Sequence, residues 1–159
     1  MGCTHGYSMS SDDSVKVRGI EMDTDEIERT LGELGHGTLS LSRDGNAYGV
    51  PISFGYDDGR LFMHLIRFGD ESKKLDFSET TMQACLTAYR VDSRFAWKSV
   101  VVTGTLEDVS DEETEYMEEV MDKNAWFPNI FPPTAPIAEI SRVELVIDEM
   151  TGRKGEEYQ

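Results

Sequence analysis

Apolar positions recur along this chain with two different periods, and the switches between them outline its elements. From Asp23 to Leu34, the residues Ile27, Leu31 and Leu34 fall at i, i+4 and i+7, the spacing of one helix face. Asp23 or Thr24 can cap the first turn, and Gly35 and Gly37 end it. Strand-like runs take over at Thr38. Thr38–Ser42, Ala47–Tyr56 and Arg60–Ile66 read as strands, separated by the turn signals Asp44-Gly45 and Asp57-Asp58-Gly59. Turns this tight make the three strands antiparallel neighbours.

The second half mixes the same signals. A helix is expected over Lys73–Thr81, and strands over Gln83–Arg90 and Lys98–Val109, the latter through the β-branched run Val100-Val101-Val102-Thr103. Ser110 and Glu113 have the spacing of a capping box, ahead of a helix whose apolar stripe is Tyr116, Met117, Val120 and Met121. Pro128, Pro132, Pro133 and Pro136 exclude regular structure from the loop that follows. Glu139–Met150 closes the chain as an alternating strand, with Val143, Leu145 and Ile147 facing inward. The expected fold is mainly β with a few helices: six short strands forming a closed or partly closed antiparallel barrel. Residues 1–20 are polar and read as a flexible leader, residues 21–154 as a single domain and residues 155–159 as a tail.

Composition narrows the function classes. The chain has 159 residues, with 15 Lys and Arg against 31 Asp and Glu, for a net charge of −16. That acidity excludes an intrinsic nucleic-acid binder, which needs clustered cations, and a protein that docks on anionic lipid. No apolar run is long enough to span a membrane, so a soluble chain is expected. The acids are spread along the whole chain, which suits a halophilic surface. Two cysteines, Cys3 and Cys85, make no disulfide framework and fit a reducing cytoplasmic compartment. Cys85, in an apolar run, reads as a small buried hydrophobe. His5, His36 and His64 lack ligand spacing, so no metal site is expected.

Dividing the charge by region is more informative. Residues 60–98 carry seven bases and five acids, a net of +2, which leaves −18 on the rest of the chain. This stretch is where an anion could be held. Within it, Ser72-Lys73-Lys74 opens the expected helix, although cations in a first turn oppose the helix dipole. A phosphate seated there would remove the conflict; a solvated lysine pair tolerated at small cost is the other reading. Pro51 interrupts an otherwise convincing strand, so it marks an edge, a bulge or a flat ligand lying alongside. His64 is either a hydrogen-bonded core histidine or a ligand-facing one. Trp97 and Lys98 read as a strand-end anchor, and Trp126 and Phe127 either close over a planar ligand or cap the barrel. No nucleophile triad, paired-carboxylate motif, P-loop or dinucleotide fingerprint is present.

Several runs together resemble the pyridoxamine 5′-phosphate oxidase-like FMN-binding split-barrel superfamily, and most closely its nitroimidazole-resistance, flavin-nucleotide-binding branch. They are Gly37-Thr38-Leu39-Ser40-Leu41-Ser42, Asp44 to Ser53, Asp58 to His64 with Lys74-Leu75-Asp76, Ser99 to Thr105, and Glu149 to Lys154. The resemblance implies a six-stranded antiparallel split β-barrel that forms a homodimer with FMN at the subunit interface. Carried over by position, the backbone of Val50, Pro51, Ile52 and Ser53 runs beside the isoalloxazine ring. Met63 and His64 approach the ribityl chain and phosphate, Ser72, Lys73 and Lys74 anchor the phosphate, and Ser99 reaches the flavin. The implied activity is an FMN-dependent oxidoreductase using NAD(P)H to reduce a small-molecule substrate, with His64 the one candidate catalytic residue. The alternatives are a flavin store or sensor without turnover, and a haem-binding relative with His64 or His36 as axial ligand. True pyridoxamine-phosphate oxidases carry a substrate-binding basic residue where this chain has Gly55, and end in an Arg- and Trp-bearing motif absent here. That departure argues against vitamin B6 oxidation.

Overall fold

Two Asp-Gly turns build the first half of the sheet. The computed structural model describes residues 18–68, 83–126 and 137–158. In it Asp44 and Gly45 have φ of 49° and 79°, and Asp58 and Gly59 have 46° and 78°. Both central residues of each turn are thus left-handed, the type I′ geometry whose twist matches a hairpin. These turns join β2 (His36–Arg43), β3 (Asn46–Asp57) and β4 (Arg60–Phe68) as antiparallel neighbours, as expected from the sequence. The expected helix over Lys73–Thr81 and the proline loop lie outside the described residues.

The remaining strands are β1 (Ile20–Glu21), β5 (Ala84–Val91), β6 (Trp97–Asp108) and β7 (Ile137–Lys154), all paired antiparallel. Around the barrel the order is β7-β4-β3-β2-β5-β6, and β6 returns to β7, so six strands close; β1 adds two residues beside the end of β7. Closure depends on β7, which serves β4 with its first half and β6 with its second. The β6–β7 register slips between Thr103–Glu149 and Gly104–Ile147, leaving Asp148 as the extra residue of a bulge. Gly104 is required at that crossing, because a Cβ would collide with the Val146 carbonyl.

The inward positions alternate as β geometry dictates, and Phe54, Leu61, Met63, Leu86, Val100, Val102 and Leu145 are fully buried together. Helix α1 (Thr24–Leu34) plugs one end with Ile27, Leu31 and Leu34. Its N-cap is Asp23, whose carboxylate accepts from the Glu26 N–H at 2.8 Å, and Gly35 at φ 64° terminates it. Helix α2 (Thr114–Asn124) lies outside the barrel, where Met117, Val120 and Met121 bury the outward-facing Phe62.

Two sequence expectations are corrected here. The Ser110–Glu113 capping box does not form: a 3-10 turn, Asp111–Glu113, precedes α2, and Ser110 makes no side-chain cap. Arg60 draws the Glu113 carboxylate away, with Glu144 as its second partner (2.6 Å from Nη2). Cys85 is not in the core. Ala84, Leu86 and Ala88 take the inward positions of β5, which places Cys85 half-buried on the outer face.

Candidate functional site

The β3–β4 ladder is short. It runs from Asp57–Arg60 to Phe54–Met63 and stops, although both strands continue. Beyond that point β3 pairs with β2 back to Asn46, while β4 pairs with β7 out to Phe68. The two strands therefore part, and among the described residues the edge of β3 between Asn46 and Ser53 has only β2 as a neighbour. Pro51 sits in this stretch, opposite Thr38. The edge reading of Pro51 thus holds among the described residues, since a proline there forfeits no bond to β4.

Strand alternation decides which side chains reach the split. Ile52 and Met63 are buried in the barrel core and Val50 packs against it, so the side chains of these three do not reach a ligand outside the barrel. Pro51 and Ser53 face outward on β3, and His64 faces outward on β4. Ser53 Oγ donates to the Gly35 carbonyl at 3.3 Å. His64, 10% exposed at its side chain, has Nε2 2.9 Å from Glu118 Oε1 on α2. The same oxygen accepts from Arg142 Nε at 2.9 Å, and Arg142 lies directly opposite His64 on β7. Burial alone would raise the Glu118 carboxyl, but the hydrogen bonds from Arg142 and His64, with their charges, outweigh it and hold its pKa below the ordinary value. The structure thus ties His64, α2 and β7 together beside the split.

The end of the split nearest α1 has an aromatic rim. His36 lies opposite Ser53, and its ring centroid is 5.2 Å from that of Trp126, which is 63% exposed. Trp126 does not cap the barrel core; it stands at the mouth of the split, its backbone N–H directed to the Gly35 carbonyl at 3.4 Å. Sequence reasoning missed His36 in this role, and missed Glu118 and Arg142. The β7 alternation that turns Val143 inward could have flagged Arg142 as outward, but nothing local links it to Glu118.

Not every expected residue gathers here. Ser99 is half-buried on β6, between Tyr89 of β5 and Arg153 of β7. In the barrel order β6 is across from β3, so the fold of this chain does not bring Ser99 to Val50–Ser53. Ser72, Lys73 and Lys74 lie outside the described residues. Among the described residues no group of His, Cys, Asp and Glu is placed to hold a metal ion, and no helix is long and apolar enough to cross a membrane.

A closed six-stranded barrel whose third and fourth strands part in this way is a split barrel. The chain belongs to the pyridoxamine 5′-phosphate oxidase family, whose sequence pattern matches residues 23–154. It is 30% identical over 128 residues to an uncharacterized protein of Rhizobium meliloti, covering 72% of this chain and 81% of that one. Among solved structures it is similar to a FAD-binding protein of Mesorhizobium loti, with a TM-score of 0.66 and 22% identity over 84% of this chain and 96% of the other. It is similar also to a putative 5-nitroimidazole antibiotic resistance protein of Bacteroides thetaiotaomicron, with a TM-score of 0.64 and 22% identity over 85% and 86% of the two chains.

Proposed function

We propose that the protein binds FMN along the open edge of β3 and uses it as an oxidoreductase, passing reducing equivalents from NAD(P)H to a small acceptor. The observation that carries this reading is the parting of β3 and β4 at Phe54–Met63, which leaves the Val50–Ser53 backbone as a free edge beside His64. A planar, hydrogen-bonding ring system suits such an edge: the backbone groups of Gly49, Pro51 and Ser53, which by strand alternation face away from β2, supply acceptors and, Pro51 excepted, donors, and the Pro51 ring gives a flat surface. The resemblance to flavin-binding split barrels and the FAD-binding relative of Mesorhizobium loti support a flavin there.

A bound flavin supplies the electron transfer, and this chain's residues bind, orient and shield it. Met63 and Ile52 seal the barrel beneath the split, so the ring stays on the outer face. Ser72, Lys73 and Lys74, which follow β4, supply the charge and hydroxyl for the phosphate. His64, held by Glu118, is the group poised to move a proton beside the ring. The distance between β3 and β6 within one barrel supports a homodimer, in which the second copy brings its own Ser99 to the flavin.

Vitamin B6 oxidation is disfavoured by Gly55. A Cβ there would stand 2.9 Å from the Val120 carbonyl oxygen and 3.0 Å from the Met121 backbone, so α2 occupies the space a basic side chain would need. A non-catalytic flavin carrier is the second reading, and the anchoring of His64 Nε2 to Glu118 favours it, since that nitrogen is already committed. Steady-state oxidation of NADH and NADPH by FMN-loaded protein, with a quinone and a nitroaromatic as acceptors, separates the two. Turnover above that of free FMN is expected. Flavin retained without any turnover would leave the carrier reading and overturn the enzyme.

A further inference from the structure

The inward face of β6 carries an anomaly far from the split. Lys98, Val100 and Val102 share that face, and Lys98 is as inaccessible as a core residue, its side chain 8% exposed. Directly opposite it on β7 stands a second lysine, Lys154. Like charges facing each other across a ladder destabilise a sheet, and a buried ammonium costs more unless its three N–H donors find acceptors.

Helix α1 answers part of this demand. Glu33 Oε2 lies 2.6 Å from Lys98 Nζ, and Glu26 Oε1 lies 2.7 Å from Lys154 Nζ. These carboxylates are seven residues apart, about 10 Å along the helix, so they flank the lysine pair rather than fill the space between. The Tyr158 ring, 4.8 Å from Lys98 Nζ, adds a cation–π face. What remains is an open cleft of about 170 Å³ lined by both lysines, both glutamates and Tyr158. Arg29 and Thr30 line it as well, Thr30 being only 4% exposed. The gap between the ion pairs stays open, with Met22 on one wall; three cations and two carboxylates line it, a local net of +1 in a chain of −16.

We propose that this cleft is a binding site for a small anion, a carboxylate or a phosphate group seated between Lys98 and Lys154. Each ammonium keeps its glutamate and turns its remaining donors to the ligand, with the Thr30 hydroxyl as a neutral partner. The cleft is smaller than the roughly 300–1,000 Å³ typical of drug-sized ligands, so the occupant is a short acid or a simple phosphate compound. The site is separate from the split and stands whether or not a flavin binds there.

Amide NMR shifts of the FMN-saturated protein, titrated with inorganic phosphate and, separately, with succinate at constant ionic strength, test this. Saturable shifts of the Thr30, Lys98 and Lys154 amides are expected with at least one probe, and the stronger probe tells phosphate from carboxylate. Lys154→Gln and Lys98→Met should each weaken that binding by about tenfold or more. Because Lys154 is more accessible than Lys98, its variant keeps the test informative if Lys98→Met fails to fold. No saturable shift at these amides up to about 50 mM of either probe, the weak end of specific binding, would overturn the proposal. So would shifts that Lys154→Gln leaves unchanged.

Discussion

Phe54 and Met63 face each other across the last rung of the β3–β4 ladder, and both side chains are fully buried in the barrel. The core is therefore sealed at the point where the strands part. Past this rung β3 stays with β2 and β4 with β7, so the opening exposes backbone on the outer surface rather than a hole into the interior. A ligand in the split lies against an edge, with Pro51, Ser53 and His64 as the side chains it meets.

Gly55 fixes how closely α2 can approach. Gly55→Ala is expected to lower stability by about 1–3 kcal/mol, the usual cost of overpacking, because its Cβ would press on the backbone of Val120 and Met121. Urea denaturation measures this. A lysine at the same position should cost more and displace α2, which would also loosen His64 through Glu118.

Glu118 should make part of the stability depend on pH. Its carboxyl titrates below the ordinary value in the folded protein, despite the opposing effect of burial, because Arg142 and His64 hydrogen-bond it. A carboxyl lowered in this way adds stability above its unfolded pKa of about 4.3 and loses it as the pH falls through the folded value. Glu118 is 39% exposed, so Glu118→Gln should cost only about 0.5–1 kcal/mol near pH 7 after solvent screening. The difference from the parent protein should be smaller at a pH below the unfolded value of about 4.3 than at pH 7. Paired urea curves at the two pH values check it.

Charge reversal at Lys73 and Lys74 addresses the phosphate. Lys73→Glu with Lys74→Glu is expected to weaken FMN binding by about tenfold or more, through loss of charge-assisted hydrogen bonds. The melting temperature should stay within about 4 °C of the parent, as expected if the pair serves binding rather than packing. Unchanged FMN affinity would place the phosphate elsewhere.

Much of the barrel is legible in the sequence because its signals are local. The Asp-Gly pairs dictate their own turn geometry, and Asp23, Ile27, Leu31 and Gly35 mark α1 from cap to cap. The features missed depend on partners distant in sequence. Ser110 and Glu113 have the spacing of a capping box, yet Arg60, some fifty residues earlier, takes the carboxylate. Cys85 sits in an apolar run, but the ladder register turns it outward. The bulge at Asp148, which lets β7 serve two strands, leaves no mark in the alternation before Ile147. The split itself is hinted at by one residue, Pro51, whose two explanations, an edge or a ligand alongside, become one when the edge is open. The net +2 of residues 60–98 points to Lys73 and Lys74, while Lys98, in the same stretch and read as a strand-end anchor, is the buried cation among the described residues.

Backbone hydrogen exchange over residues 46–53, with and without FMN and at the same oligomeric state, tests the central claim most directly. Amides of β3 that face away from β2 should exchange readily in the flavin-free protein and slow by about tenfold or more when FMN is added. FMN that fails to bind, or that binds while leaving exchange across residues 46–53 as it was, would contradict a flavin seated in the split.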